Sequence, residues 1–448
     1  MNHLLKPFLL ALFCLTSLNV SAIEISFEAD TNLPIVYLSL AIKGGGTTDP
    51  AQLSGLTQFT GEMLLRGTHQ RNKAQLGNAL DELGARLEIE TKAEALILRG
   101  AVLSQNLDHF LKILTEVITQ PSFSSREISK LRRETLSDIL EQQSEDSQIS
   151  ARLIRKYLFG THPYSGLAVG TSAGVRKITR TDVVRHYQKL FTDHRMIVAG
   201  TGDSRIQTIE RWAFDLARRR SGSAMIPALS SPESSDTRKI VWIEKPNRTQ
   251  VWIRGALTGV TYLDADYFSL YVGNHTFGGD LTYAWLNQEI RVKTGWSYGS
   301  YSYFLMGSVP HSWQFYFYPA TKDAIPALQK ARDLIEKLHK DGVTESQFIS
   351  AKQSLLNSSS FMYNTPEKRV ENTIEEKTLG LPNGFFRTFR DRIDDVTFSE
   401  TNAALKKYIR PKAITWTVLG TGPELKKSVI ESFLPNGTQF VSTSYRDE

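Results

Sequence analysis

The sequence predicts an α+β protein made of two duplicated domains, each a largely antiparallel sheet with helices packed on one face. Three observations point there. Strand, helix and turn markers recur in the same order in both halves, their separations are nearly constant, and a stretch rich in Ser, Pro and Gly lies between them.

Each half opens with an alternating segment, IVYLSLAIKGG from Ile35 and QVWIRGAL from Gln250, whose period of two is that of a strand. Each then carries a helical run, EISKLRRETLSDILEQ from Glu127 and ESQFISAKQSLLNSS from Glu345. Each closes with a helix, a strand and a Gly-Thr-Gly turn, DVVRHYQKLFTDHRMIVAGTGD from Asp182 and ETNAALKKYIRPKAITWTVLGTGP from Glu400. Glu127 and Glu345 are 218 residues apart, and Gly200 and Gly420 are 220 apart. The intervening RRRSGSAMIPALSSPESSDTR at 218–238 lacks apolar periodicity and reads as a linker. The expected organisation is a signal peptide at 1–22, a first domain at 23–220, a linker at 221–237 and a second domain at 238–448. A duplicated pair of this kind creates a cleft, where binding sites often lie.

The N-terminus has a basic start ending at Lys6, an apolar run over 8–15 and the small-residue end Val20-Ser21-Ala22. This is the pattern of a cleaved secretory signal, so the mature chain should begin near Ile23 in the periplasm. The apolar run is too short for about 30 Å of hydrocarbon, and no later stretch approaches that length, so no membrane span is expected in the mature chain. Phe13 before Cys14 argues against a lipoprotein signal. Cys14 is the only cysteine and leaves with the signal, which excludes disulfides and thiol chemistry. The formal charge of +6 is spread along 448 residues. Arg218-Arg219-Arg220 is a solvated helix end, not the broad basic face that nucleic acid requires.

Asp49-Pro50 looks like a helix start, with Asp as cap and Pro in the first turn. Leu53, Leu56, Phe59 and Met63 follow at helical spacing. The run at 55–68, GLTQFTGEMLLRGT, resembles the active helix of the pitrilysin and insulinase peptidases, particularly the two-domain branch that includes mitochondrial processing peptidase. That family reads approximately GLxHFLEHMxFKGT. In its inverted HxxEH motif two imidazoles four apart share a helix face and hold Zn²⁺, while the Glu activates the metal-bound water. The resemblance places Gln58 at the first His, Gly61 at the Glu and Glu62 at the second His, so all three differ. It places Asp138, on the run EISKLRRETLSDIL, at the family's third ligand. Gln58, Glu62 and Asp138 offer oxygen ligands, which suit Ca²⁺, Mg²⁺ or Mn²⁺ better than Zn²⁺. No catalytic base stands at Gly61, and no metal site is expected in this chain. The remaining histidines include no pair three or four apart, and neither a GxSxG elbow nor a phosphate loop is present. Lys43-Gly44-Gly45-Gly46 ends a strand in a tight turn.

In the second half, FGGDLTYAWLNQEIRVKTGWSYGSYSYF at 277–304 resembles the family segment LGGxxxSRLxxxLREKxGLxYxVxS, with Tyr283-Ala284-Trp285 replacing its Ser-Arg-Leu region. The resemblance implies that Arg291 and Tyr298 are the pair that lies across the cleft from zinc and holds the scissile carbonyl. A guanidinium and a phenol are fixed donors suited to charge developing on oxygen. Tyr298, Tyr301, Tyr303 and Phe304 then read as a strand lining a peptide cleft.

These features together resemble the non-zinc subunit of a heterodimeric peptidase. Such a chain would supply Arg291 and Tyr298 to a homologous secreted partner with an intact zinc motif, which would bring the Zn, and the pair would cleave peptides. Two other functions fit the same residues: a non-catalytic peptide-binding or scaffold protein, and an independent hydrolase with a carboxylate metal site at Glu62 and Asp138.

Overall fold

The computed structural model describes residues 23–222, 226–433 and 438–448. The expected signal peptide at 1–22 lies outside the described residues. The first sheet contains β1 (Glu24–Ala29), β2 (Ile35–Lys43), β3 (Arg86–Thr91), β4 (Ala95–Leu103) and β5 (Met196–Gly202), in the order β1-β5-β2-β4-β3. Only β1 and β5 run parallel. The second sheet contains β6 (Lys239–Glu244), β7 (Trp252–Thr258), β8 (Ser300–Leu305), β9 (Ser312–Phe317), β10 (Thr415–Gly420) and β11 (Gln439–Ser444), in the order β11-β6-β10-β7-β9-β8. Its β6, β10, β7, β9 and β8 stand where β1, β5, β2, β4 and β3 stand in the first, and β11 is added beside β6, parallel to it. The duplicated markers therefore fold into equivalent places.

The strand alternation assigns each residue to a face. Val36, Leu38, Leu40 and Ile42 of β2 join the core formed with the first half's own helices. Tyr37 and Ala41 point the other way, with Ala95, Ile97, Ile197 and Ala199 of neighbouring strands. That second face is not left to water. It is covered by Val370 and Ile374 from the helix Pro366–Leu379, which belongs to the second half. In return Ile149 and Leu153 of the helix Asp146–Phe159, from the first half, pack on Val241, Ile243 and Leu419 of the second sheet.

The exchange is part of the duplication, because Ile149 and Val370 are 221 residues apart, as are Leu153 and Ile374. Residues four apart share a helix face, so each crossover helix offers two adjacent apolar side chains. Ion pairs fix both crossings. Arg369 pairs with Asp30, Arg99 Nη1 donates to Glu371 Oε1 at 2.8 Å, and Lys245 Nζ donates to Asp146 Oδ1 at 2.6 Å. Among the described residues, no helix is long and apolar enough to cross a membrane.

Candidate functional site

The motif helix spans Leu56–Leu64 and starts later than the Asp49-Pro50 pair suggests. Pro50 instead precedes a short 3₁₀ turn, Ala51–Leu53, and Gly55 enters the helix with φ of 95°, a left-handed value that favours glycine. Asp49 still acts as a cap, from a distance. Its carboxylate accepts from the backbone N–H of Gly55 at 2.7 Å and of Thr57 at 2.8 Å, and from Thr57 Oγ1 at 2.6 Å. Thr57 Oγ1 also lies 2.8 Å from His186 Nε2, which ties the motif helix to the helix Arg180–Leu190. Leu56, Phe59 and Met63 are buried on the apolar face, as their spacing requires.

Gln58 and Glu62 lie side by side on this helix, and Gln58 Nε2 donates to Glu62 Oε1 at 2.8 Å. The two side chains that would face a metal are bonded to each other. The Glu62 carboxyl is pushed up chiefly by burial, with Asp138 and Glu134 adding to the shift and Gln58 and Arg66 opposing it. Asp138 is exposed on the helix Ser125–Gln142, one turn beyond Glu134, which pairs with Arg66.

Gly61 is buried against the sheet. A Cβ built there would sit 2.5 Å from Leu96 Cδ1 and 3.1 Å from Ile89 Cγ2, so a glutamate needs Leu96 to move. An amide, a glycine and one half-buried carboxylate do not make a zinc site. Among the described residues, no three His, Cys, Asp or Glu side chains converge to hold a metal ion.

In the second half, Arg291 lies on the π-helical turn Asn287–Val292. The chain reverses at Gly295, φ 68°, whose N–H donates to Arg291 O at 2.8 Å; the N–H groups of Trp296 and Ser297 then return to Ile290 O. This reversal folds Tyr298 back over Arg291, placing the guanidinium carbon 4.9 Å from the ring centroid. The sequence pair, seven positions apart, is thus a physical pair. Tyr298 is 77% exposed, so its hydroxyl is presented to solvent.

Beside the pair lies an aromatic strip that sequence reasoning found only in part. Tyr301 and Tyr303 of the edge strand β8 share a face with Tyr316 of β9 and with Trp252 of β7, whose ring stacks on Tyr318 at 4.6 Å and on Tyr316 at 5.8 Å. Phe304 points to the opposite face and packs on the core. Arg254, 4% exposed, donates to Tyr303 Oη at 2.6 Å and to Gln314 Oε1 at 3.1 Å, and lies over the Tyr316 ring. Burial raises the Tyr318 hydroxyl pKa, Tyr301 and Tyr298 add to it, and Arg291 opposes it. The alternation of QVWIRGAL marks Trp252 and Arg254 as sharing a face, and that is the only trace of this strip in the first strand. Among the described residues, no hydrogen bond, ion pair or ring contact joins the motif helix to Arg291 or Tyr298.

Comparison with known proteins assigns both halves. The family described as Insulinase (Peptidase family M16) matches residues 25–171, and the one described as Peptidase M16 inactive domain matches residues 177–355. The chain belongs to the M16 peptidase family. It is similar to a "Non-peptidase homolog YmxG" of Helicobacter pylori, 22% identical, with 90% of this chain and 93% of that protein covered. It is also similar to an "Uncharacterized zinc protease YmxG" of Bacillus subtilis, 21% identical over 80% of this chain and 87% of that one. A solved peptidase M16 inactive domain from Pseudomonas fluorescens shares the fold, with a TM-score of 0.85 at 21% identity, covering 90% of this chain and 97% of that one. The three zinc-motif positions of this M16 chain are occupied by Gln58, Gly61 and Glu62.

Proposed function

We propose that this chain is the non-zinc subunit of a heterodimeric periplasmic metallopeptidase, in which Arg291 and Tyr298 hold the scissile carbonyl of a peptide while a homologous secreted partner supplies HxxEH and zinc. The observation that carries this is the Arg291–Tyr298 pair itself. A side chain kept only for packing would be buried, whereas the Tyr298 ring is held by a cation and its hydroxyl faces outward. A guanidinium and a phenol so placed can donate to an oxygen on which negative charge develops, which is worth most where water is excluded by a second surface. The aromatic strip and the free edge of β8 give an extended peptide both ring faces and main-chain hydrogen-bonding groups.

The test is reconstitution with a secreted homologue bearing HxxEH, using a fluorogenic peptide. The pair is expected to cleave where neither chain does alone, and Arg291→Ala with Tyr298→Phe is expected to abolish most of that rate. An unchanged rate removes the donor role. The relative described as a non-peptidase homolog supports a second function, a non-catalytic peptide-binding or scaffold protein. In that case the chain binds peptide, and no partner confers cleavage.

A further inference from the structure

A cavity lies in the half that carries Arg291, on ground the proposed catalytic role does not use. It occupies about 710 Å³ between the helix Glu345–Ser358 and the π-helical turn His275–Gly279 with the residues after it. The helix Glu345–Ser358 is the duplicate of Ser125–Gln142, so this cavity is the second half's counterpart of the groove beside the degenerate zinc motif. In the first half that groove is crossed by the ion pair from Arg66 to Glu134, and the bond from Gln58 to Glu62 runs along its motif-helix side. In the second it is open, because Ser346, Ser350, Ser354 and Ser358, at every fourth position, line it with side chains too small to fill it.

The chemistry of the lining selects a ligand. Asp280 carries the only formal charge among the lining side chains, and neither lysine nor arginine faces the cavity. His275 is held neutral at pH 7, since burial lowers its pKa against the pull of Asp280; its Nε2 lies 3.0 Å from Ser354 Oγ and 3.5 Å from Asp280 Oδ2. Asp280 Oδ1 is engaged by the backbone N–H groups of Thr282 and Tyr283, both at 2.7 Å, which fixes the carboxylate with Oδ2 turned toward His275 and the cavity. Trp285 forms an apolar wall, and its ring already attracts Lys337 Nζ at 4.9 Å. Tyr283, 80% exposed, and Phe361, 70% exposed, also line the cavity. Thr276, 8% exposed, lines it too, and its Oγ1 has no hydrogen-bond partner among the described residues.

We infer that this cavity binds an organic cation with an apolar stem, its ammonium or guanidinium head meeting Asp280 and the aromatic faces and its stem lying along the serine row. An anion meets the Asp280 carboxylate with no lysine or arginine among the lining side chains, whereas a cation gains a charge-assisted hydrogen bond and ring contacts. The volume is within the range of small-ligand sites. The inference does not depend on Arg291, Tyr298 or a zinc partner, and its test uses the mature chain alone.

Isothermal titration with phenethylammonium and with 3-phenylpropionate compares opposite charges on similar frames. The cation is expected to bind at least about tenfold more tightly, a difference of about 1.4 kcal/mol. Asp280→Asn keeps an acceptor for the Thr282 and Tyr283 N–H groups and is expected to bring the two affinities together. Ser350→Leu fills the cavity from an exposed helix position and is expected to abolish binding; a melting curve checks its fold, and Ser350→Val is the milder filling variant. Acetyl-Ala-Lys-Ala-amide separates the sources. Tighter binding than phenethylammonium assigns the cavity to peptide side chains, and weaker binding assigns it to free amines. Equal affinity for the anion, no heat with any cation, or full binding by both filling variants overturns the inference.

Discussion

The strips beside the two crossover helices occupy equivalent places in the two sheets and carry opposite chemistry. In the first half, β3 and β4 present Glu90 and Arg99, which pair with each other, while Arg99 also reaches Glu371 of the crossover helix Pro366–Leu379. In the second half, β8, β9 and β7 present Tyr301, Tyr303, Tyr316 and Trp252 around the buried Arg254. One strip pairs its polar groups with each other, and exposed pairs of that kind contribute little to binding or stability. The other keeps ring faces and the Arg291–Tyr298 pair available. The grooves repeat the contrast, since Gly61 lets the motif helix pack tightly on Leu96 while the serine row of the helix Glu345–Ser358 leaves the second half's groove open.

The largest expected effect breaks this comparison at its active side. Arg291→Ala is expected to lower kcat of the reconstituted pair about 10²–10³-fold, the usual loss for one donor to a developing oxyanion. Glu90→Gln, on the equivalent strip, should leave the rate within a factor of about two, and steady-state kinetics on both variants checks the asymmetry.

A second change tries to reopen the closed groove. Gln58→His, Gly61→Glu and Glu62→His together restore the motif's residue types, but the side chain that Gly61→Glu introduces collides with Leu96. The triple variant is expected to lose about 1–3 kcal/mol of stability through overpacking. It should hold zinc at well below one equivalent until Leu96→Ala is added, as metal analysis after dialysis would show. Stoichiometric zinc in the triple variant would mean that Gly61 packing does not keep the groove closed.

The crossover helices allow a comparison in which the halves should behave alike. Leu153→Ala and Ile374→Ala each remove a fully or almost fully buried side chain from the face of the opposite sheet. Each is expected to cost about 2–5 kcal/mol in urea unfolding, in a single transition because the halves hold each other. Two separate transitions would show that the exchange does not couple them.

The smallest effect concerns the cap of the motif helix. Burial raises the Asp49 carboxyl to about 6, against the hydrogen bonds from Thr57, and burial lowers His186 to about 4, helped by Lys189 and Arg195. The raised Asp49 contributes stability that is present below about pH 4 and lost as pH rises toward 6. The lowered His186 contributes stability present above about pH 6.5 and lost as pH falls toward 4. The two slopes oppose each other across one threonine. Asn in place of Asp49 should make stability rise more steeply with pH in this window, and Gln in place of His186 should flatten or reverse the slope. Thermal melts at pH 4, 5 and 6 measure both.

The sequence by itself determined the duplication, the strand faces and the loss of the zinc motif. Periods of two and of 3.6 are local properties, and residues 58 and 62 share a helix face in any context. It also paired Arg291 with Tyr298, through resemblance. Only the tertiary structure decided what each face meets. Ile149 and Leu153 form the same i, i+4 pair whether a helix covers its own sheet or the opposite one, so nothing local marked the exchange. Gly61 and Leu96 are 35 positions apart, and their contact depends on how closely the helix approaches β4. Arg254 reads as a stray charge in an apolar strand until β8 and β9 bring Tyr303 and Gln314 to it. Periodicity states that a face is buried, but the partner is set by long-range packing, which no short window of residues contains.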